Sequence, residues 1–179
     1  MSPQANSTDV SKSTLRETTL DAFRRWGYLQ AQLDPLQPHF AEWTSRVLAL
    51  RAAGPSPAGR TNRSGWNSKE MDLLERPVWI PLRQTIHAAC AAALGEMGRG
   101  GRPFQLQSWI NLHDRGGFNF LHMHEASLLS GSFYLKVPAG SGALCFRDPR
   151  PGVLHGDVKG SVPNGHADVQ LKPSTGLLV

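Results

Sequence analysis

The chain changes texture once, near residue 100, and that change constrains its fold more than any other feature. Before it, apolar residues recur at helical spacing. Residues 14–33 place Leu15, Leu20, Phe23, Trp26, Leu29 and Leu33 on one side of a predicted helix, interrupted by Gly27. Pro35 and Pro38 break that pattern. A second helix is predicted over residues 40–52, with Phe40, Trp43, Val47, Leu48 and Leu50 as its apolar side. Residues 53–65 are rich in Gly, Pro and Ser and read as a loop. A third helix is predicted over residues 81–97, alanine-rich, with Leu82, Ile86, Ala89, Cys90, Ala93 and Leu94 inward. The Gly- and Arg-rich residues 98–103 end it. Beyond that point short strands are predicted at 104–112, 118–123, 131–137 and 143–146, with briefer ones at 153–154, 166–171 and 177–179. Helices first and strands second mean an α+β protein, helices packed on a sandwich or barrel, and not an alternating βαβ sheet.

The length of 179 residues suits one domain. Residues 1–13 are polar and read as a disordered tail without the apolar centre of a secretory leader. Residues 14–179 form the expected domain, helical to about 98 and β from about 104. No apolar run approaches the roughly 20 residues that span a bilayer. Cys90 and Cys145, each between apolar neighbours, read as buried thiols of a reducing compartment, which points to the cytoplasm. The formal charge of +5 is carried mostly by scattered arginines. Without a basic run interleaved with aromatics, this reads as a basic solvated surface and not a nucleic-acid site.

The residues that most invite chemistry are His122 and His124. On a strand, side chains at i and i+2 share a face, so the pair would offer two imidazole nitrogens to one metal ion. Two half-exposed strand histidines are the bland alternative. A mononuclear site needs a third ligand, for which His113, Asp114, Glu125, Asp148, His155, Asp157 and His166 are nearby. Gly117 and Gly131 flank the pair and suit close backbone approach. Ser132 and Tyr134 share a strand face and could anchor a small anion, with Asn111 a further polar candidate. A core tyrosine with its hydroxyl satisfied is the competing reading. No Gly-x-Ser-x-Gly elbow and no phosphate-binding glycine loop is present, and two cysteines cannot build a zinc finger.

Several blocks, taken in order, resemble the putative 2-oxoglutarate–Fe(II) oxygenase family, of the prolyl-hydroxylase-like branch of the double-stranded β-helix superfamily. They are Ser108-Trp109-Ile110-Asn111, Gly116-Gly117, His122-x-His124, Ser130-Gly131-x-x-Tyr134-Leu135, Pro138, and Gly142-x-Leu144-x-Phe146-x-Asp148-Pro149-Arg150. Upstream, Asn62-x-Ser64-Gly65-Trp66-Asn67-Ser68 resembles that family's Gly-Trp-x-Ser segment. The resemblance implies a jelly-roll β-helix with flanking helices, Fe(II) held by a facial triad, and 2-oxoglutarate as cosubstrate. It implies hydroxylation of a substrate, small molecule or peptide, coupled to release of succinate and CO2.

His122 maps onto the first metal ligand, and His124 stands where the wider superfamily has a carboxylate, as in this family's own pattern. The late-strand histidine and the arginine that pairs with 2-oxoglutarate have no counterpart, since no arginine follows Arg150. The expectation is therefore a jelly roll missing its last strands, with activity reduced or absent. Two other readings stand beside it. One is a cupin-like metal protein, because Gly116, five residues and His122-x-His124 match the opening of that motif. The other is a non-catalytic β-sandwich binding module whose histidines are incidental.

Overall fold

The structure, a computed structural model, describes residues 29–55, 61–68, 72–147 and 168–179. It is a mixed α and β protein. In chain order it has β1 (Ala31–Gln32), α1 (Phe40–Ala53), β2 (Asn62–Asn67), α2 (Ile80–Glu96), β3 (Asn111–Asn119), β4 (Leu144–Arg147), β5 (Asp168–Leu171) and β6 (Leu177–Leu178). The strands form three two-stranded antiparallel sheets, β1 with β6, β2 with β3, and β4 with β5. The chain groups into two compact units. One holds residues up to Leu135 together with Gly176–Val179, and the other holds Lys136–Thr175.

In the larger unit the second and third predicted helices form where expected. The turn Asp34–His39, which carries Pro35 and Pro38, leads into α1. α2 has a proline in its first turn, where the missing N–H costs nothing, and runs on through alanine. It ends in a Schellman motif. Gly98 takes φ +69°, its N–H donates to the Gly95 carbonyl at 3.0 Å, and Arg99 N–H donates to the Leu94 carbonyl at 2.8 Å.

The core gathers around Trp43, which is fully buried. Its indole N–H donates to the Val78 carbonyl at 2.9 Å. Its ring lies 5.2 Å from Trp79 and 6.4 Å from Phe133, the latter edge-on. Leu33, Leu36, Val47, Leu82 and Leu178 pack into the same cluster.

The C-terminal segment threads this core. β6 pairs with β1, Ala31 opposite Leu178. On its other side, Ser132 N–H donates to the Val179 carbonyl at 2.9 Å, and Tyr134 N–H donates to the Leu177 carbonyl at 2.8 Å. Residues 132–134 thus keep the extended pairing predicted for 131–137, reduced to a bridge at Phe133 and Leu178. A Cβ on Gly131 would lie 2.7 Å from the Val179 carbonyl oxygen, so glycine is required there for the chains to approach.

Five expectations need correction. The part of the predicted 14–33 helix that is described contains β1, because residues 31–32 are claimed by pairing with β6; residues 14–28 lie outside the described residues. The predicted loop 53–65 contains β2 from Asn62, whose polar sequence hides a strand held by its partner. Residues 104–110 hold only an isolated bridge from Ser108 to Asp72, and the predicted break at 113–117 is interior to β3. There the register slips between Arg63 and Gly65, Gly116 takes φ +77°, and the bulge replaces a turn. A Cβ on Gly117 would collide with the Ser64 carbonyl oxygen. Finally, Cys145 is exposed, and only Cys90 is partly buried.

In the smaller unit β4 and β5 form a register from Leu144 opposite Leu171 to Arg147 opposite Asp168. No helix among the described residues is long and apolar enough to cross a membrane.

Candidate metal centre

β3 delivers the chain to the site. The Phe120 N–H still donates to the Thr61 carbonyl at 2.9 Å, one step past the strand, and pairing stops there. His122 and His124 therefore do not lie on a strand, contrary to expectation, and alternation of side chains does not bring them together. A local loop does. A turn closes from the His124 carbonyl to the Ser127 N–H at 3.1 Å and brings the Ser130 hydroxyl to His124 Nδ1 at 3.1 Å.

The two rings nevertheless come together. His122 Nε2 and His124 Nε2 lie 3.1 Å apart. Metal–nitrogen bonds of about 2.1 Å at a right angle place two nitrogens about 3.0 Å apart, so the spacing fits two adjacent positions on one ion. The protonation pattern supports this. His122 Nδ1 lies 2.7 Å from the Phe120 carbonyl oxygen. A carbonyl only accepts, so Nδ1 carries the proton and Nε2 presents its lone pair. Fixing the far nitrogen of a ligating histidine on a carbonyl is the usual way to orient such a ligand.

His124 has two arrangements. Its Nε2 donates to His122 while Nδ1 accepts from Ser130, or its Nδ1 donates to Ser130 and both Nε2 lone pairs face one point. A cation selects the second. The Trp109 ring, 5.3 Å from His124, walls one side of that imidazole.

The other proposed ligands are placed as follows. Asp114 is held in a two-pronged ion pair by Arg51 of α1, at 2.8 and 2.9 Å. That bond keeps its carboxyl below the usual range and commits it elsewhere. His113 Nε2 bonds Asn119 Oδ1 at 3.0 Å. Glu125 follows His124, but no three His, Cys, Asp or Glu side chains come together among the described residues. Asp148, His155, Asp157 and His166 lie outside them. The two imidazole nitrogens are spaced as two donors to one ion would be, and no third His, Cys, Asp or Glu side chain joins them among the described residues.

Asn111 opens β3 and accepts a 2.6 Å bond from the Asn67 side-chain amide, joining the strand to the segment Gly65–Ser68. Ser68, missed as a structural residue, is buried, and its hydroxyl accepts from the Ile110 N–H at 3.0 Å. Ser132 and Tyr134 hydrogen-bond through their hydroxyls. Burial, more than that bond, governs the phenol and pushes its pKa up. The two residues do share a face. Around the histidines Leu121, Met123 and Leu128 are open to solvent. Arg63 caps the Phe120 ring at 4.6 Å, a cation–π contact that no spacing rule in the sequence would have found.

Residues 107–179 match the model of the family described as Putative 2OG-Fe(II) oxygenase, which bears out the family resemblance carried by the sequence blocks. The matched stretch contains Trp109, Asn111, both histidines, Ser132 and Tyr134, and does not reach the upstream Gly65–Ser68 segment. No curated protein and no solved structure matches the chain.

Proposed function

We propose that this protein is a 2-oxoglutarate- and Fe(II)-dependent oxygenase in which His122 Nε2 and His124 Nε2 are two of the metal donors. The observation that carries the reading is the 3.1 Å convergence of those nitrogens inside the segment that matches the oxygenase family. When bound, iron and cosubstrate supply the oxidative chemistry: 2-oxoglutarate loses CO2 to give succinate, taking one oxygen atom of O2, and the other becomes a hydroxyl on the substrate.

The chain's own residues orient and enclose. The Phe120 carbonyl keeps the proton on His122 Nδ1, and Ser130 holds the Nδ1 side of His124. Trp109 excludes water from one face of His124. Tyr134 and Ser132 are the proposed hydroxyl anchors for the cosubstrate carboxylate, with Asn111 a further polar contact. The double-stranded β-helix is the fold this reading carries with it.

The test is succinate release from 2-oxoglutarate with added Fe(II) under air. Turnover that vanishes in His122→Ala and in His124→Ala supports the proposal. Metal binding without any 2-oxoglutarate binding refutes it and leaves a cupin-like metal protein. Metal content unchanged in both variants leaves a binding module with incidental histidines.

A further inference from the structure

An open, largely solvent-exposed cavity lies on elements that do not carry the histidine pair. It has a volume of about 450 Å³ and lies against the C-terminal end of α2 and the glycine-rich chain that follows, bounded by His87, Leu94, Arg99, Gly101, Arg102 and Phe104. That volume is in the range of small-molecule pockets. We propose that it binds a small anion carrying a flat apolar body, of the aryl phosphate or aryl carboxylate class.

The end of a helix carries about half a negative charge, while Arg99 and Arg102 bring two whole positive ones, so most of their charge is unspent. Neither guanidinium has a hydrogen-bond or ion-pair partner among the described residues, and no carboxylate lines the cavity. The amides of Gly100 and Gly101 also donate to no group among the described residues, and a Cβ at Gly101 would meet open space. Bare amides beside two guanidiniums are donors suited to phosphate or carboxylate oxygens.

The His87 and Phe104 rings, both lining the cavity, stack with centroids 4.4 Å apart and an interplanar angle of 19°, which leaves the outer face and the edges of the stack for a flat ligand. Leu94, buried, supplies apolar surface beside it. An anion alone would use only the guanidiniums, whereas a flat ring joined to the anion uses both halves of the cavity.

The experiment is calorimetric titration of phenyl phosphate into the full chain at low ionic strength, with inorganic phosphate and phenol as comparison probes. Saturable one-to-one binding is expected, tighter than for either probe. Arg99→Gln and Arg102→Gln should each weaken it about tenfold, as loss of a charged hydrogen bond does. Raising salt to about 0.15 M should weaken it further. His122→Ala should leave it unchanged, which separates this site from the oxygenase reading. Absence of saturable binding, or equal affinity in the Arg99→Gln/Arg102→Gln double variant, overturns the proposal. Inorganic phosphate binding as tightly as phenyl phosphate overturns the flat apolar half of it.

Discussion

Trp43 is where the fold is most exposed to a single change. Trp43→Ala removes a fully buried indole, and such truncations cost about 3–5 kcal/mol. It also orphans the Val78 carbonyl, which now accepts at 2.9 Å and sits in a part-buried position, adding about 1 kcal/mol. The sum of about 5 kcal/mol is comparable to the whole stability of many domains, about 5–15 kcal/mol. Trp43→Phe keeps a ring among Phe40, Trp79 and Phe133 but loses the donor, and should cost about 1–2 kcal/mol. With a urea dependence of about 2 kcal/mol per molar, the midpoint should fall by about 2 M or more in the alanine variant, and by less than about 1 M in the phenylalanine one. Arg46→Ala is the control, because its ion pair with Glu42 is exposed on the same helix and worth less than about 1 kcal/mol. A midpoint shift in Trp43→Ala no larger than that of Arg46→Ala would refute the placement of the core around this residue.

Three further outcomes are expected. Gly117→Ala forces a Cβ into the Ser64 carbonyl and should lower stability by about 1–3 kcal/mol, read as a thermal midpoint; an unchanged midpoint contradicts the bulge in β3. Under a thiol reagent at mildly alkaline pH, Cys145 should react at once and Cys90 slowly, because Cys145 is exposed while burial raises the Cys90 pKa; mass mapping with Cys90 labelled first contradicts this. The bond from Arg51 holds the Asp114 pKa below its unfolded value, so its contribution to stability is present above about pH 4 and is lost as pH falls through the lowered folded value. Arg51→Gln should flatten that acid-side loss in denaturation midpoints measured from pH 6 down to 3, and an identical profile in the variant would contradict the pairing.

The helices were legible because their stabilisation is largely local. The alanine run of α2, its proline in the first turn and Gly98 after its end all point the same way before any tertiary contact is considered. Leu177 and Leu178 were legible as a strand because two buried leucines need a partner sheet. β2 was not, since Asn62-Arg63-Ser64-Gly65-Trp66-Asn67 has little strand propensity and exists through its pairing with β3. In β3 the Gly116-Gly117 pair looked like a turn; only the register shows that it is a bulge, because the same glycines satisfy either geometry. The histidine pair is the instructive case. The motif was visible and the convergence real, but the period-two argument for it was wrong: the Phe120 carbonyl and a four-residue turn from His124 to Ser127 do what a strand was expected to do.

The most direct test of the account is an anaerobic titration of 2-oxoglutarate into Fe(II)-loaded protein, read by calorimetry. Saturable one-to-one binding is expected for the native chain, and none in His122→Ala or His124→Ala, because either change removes one of two nitrogens set 3.1 Å apart. Retention of Fe(II) and undiminished 2-oxoglutarate binding in both variants would contradict the claim that this pair is the metal end of the site.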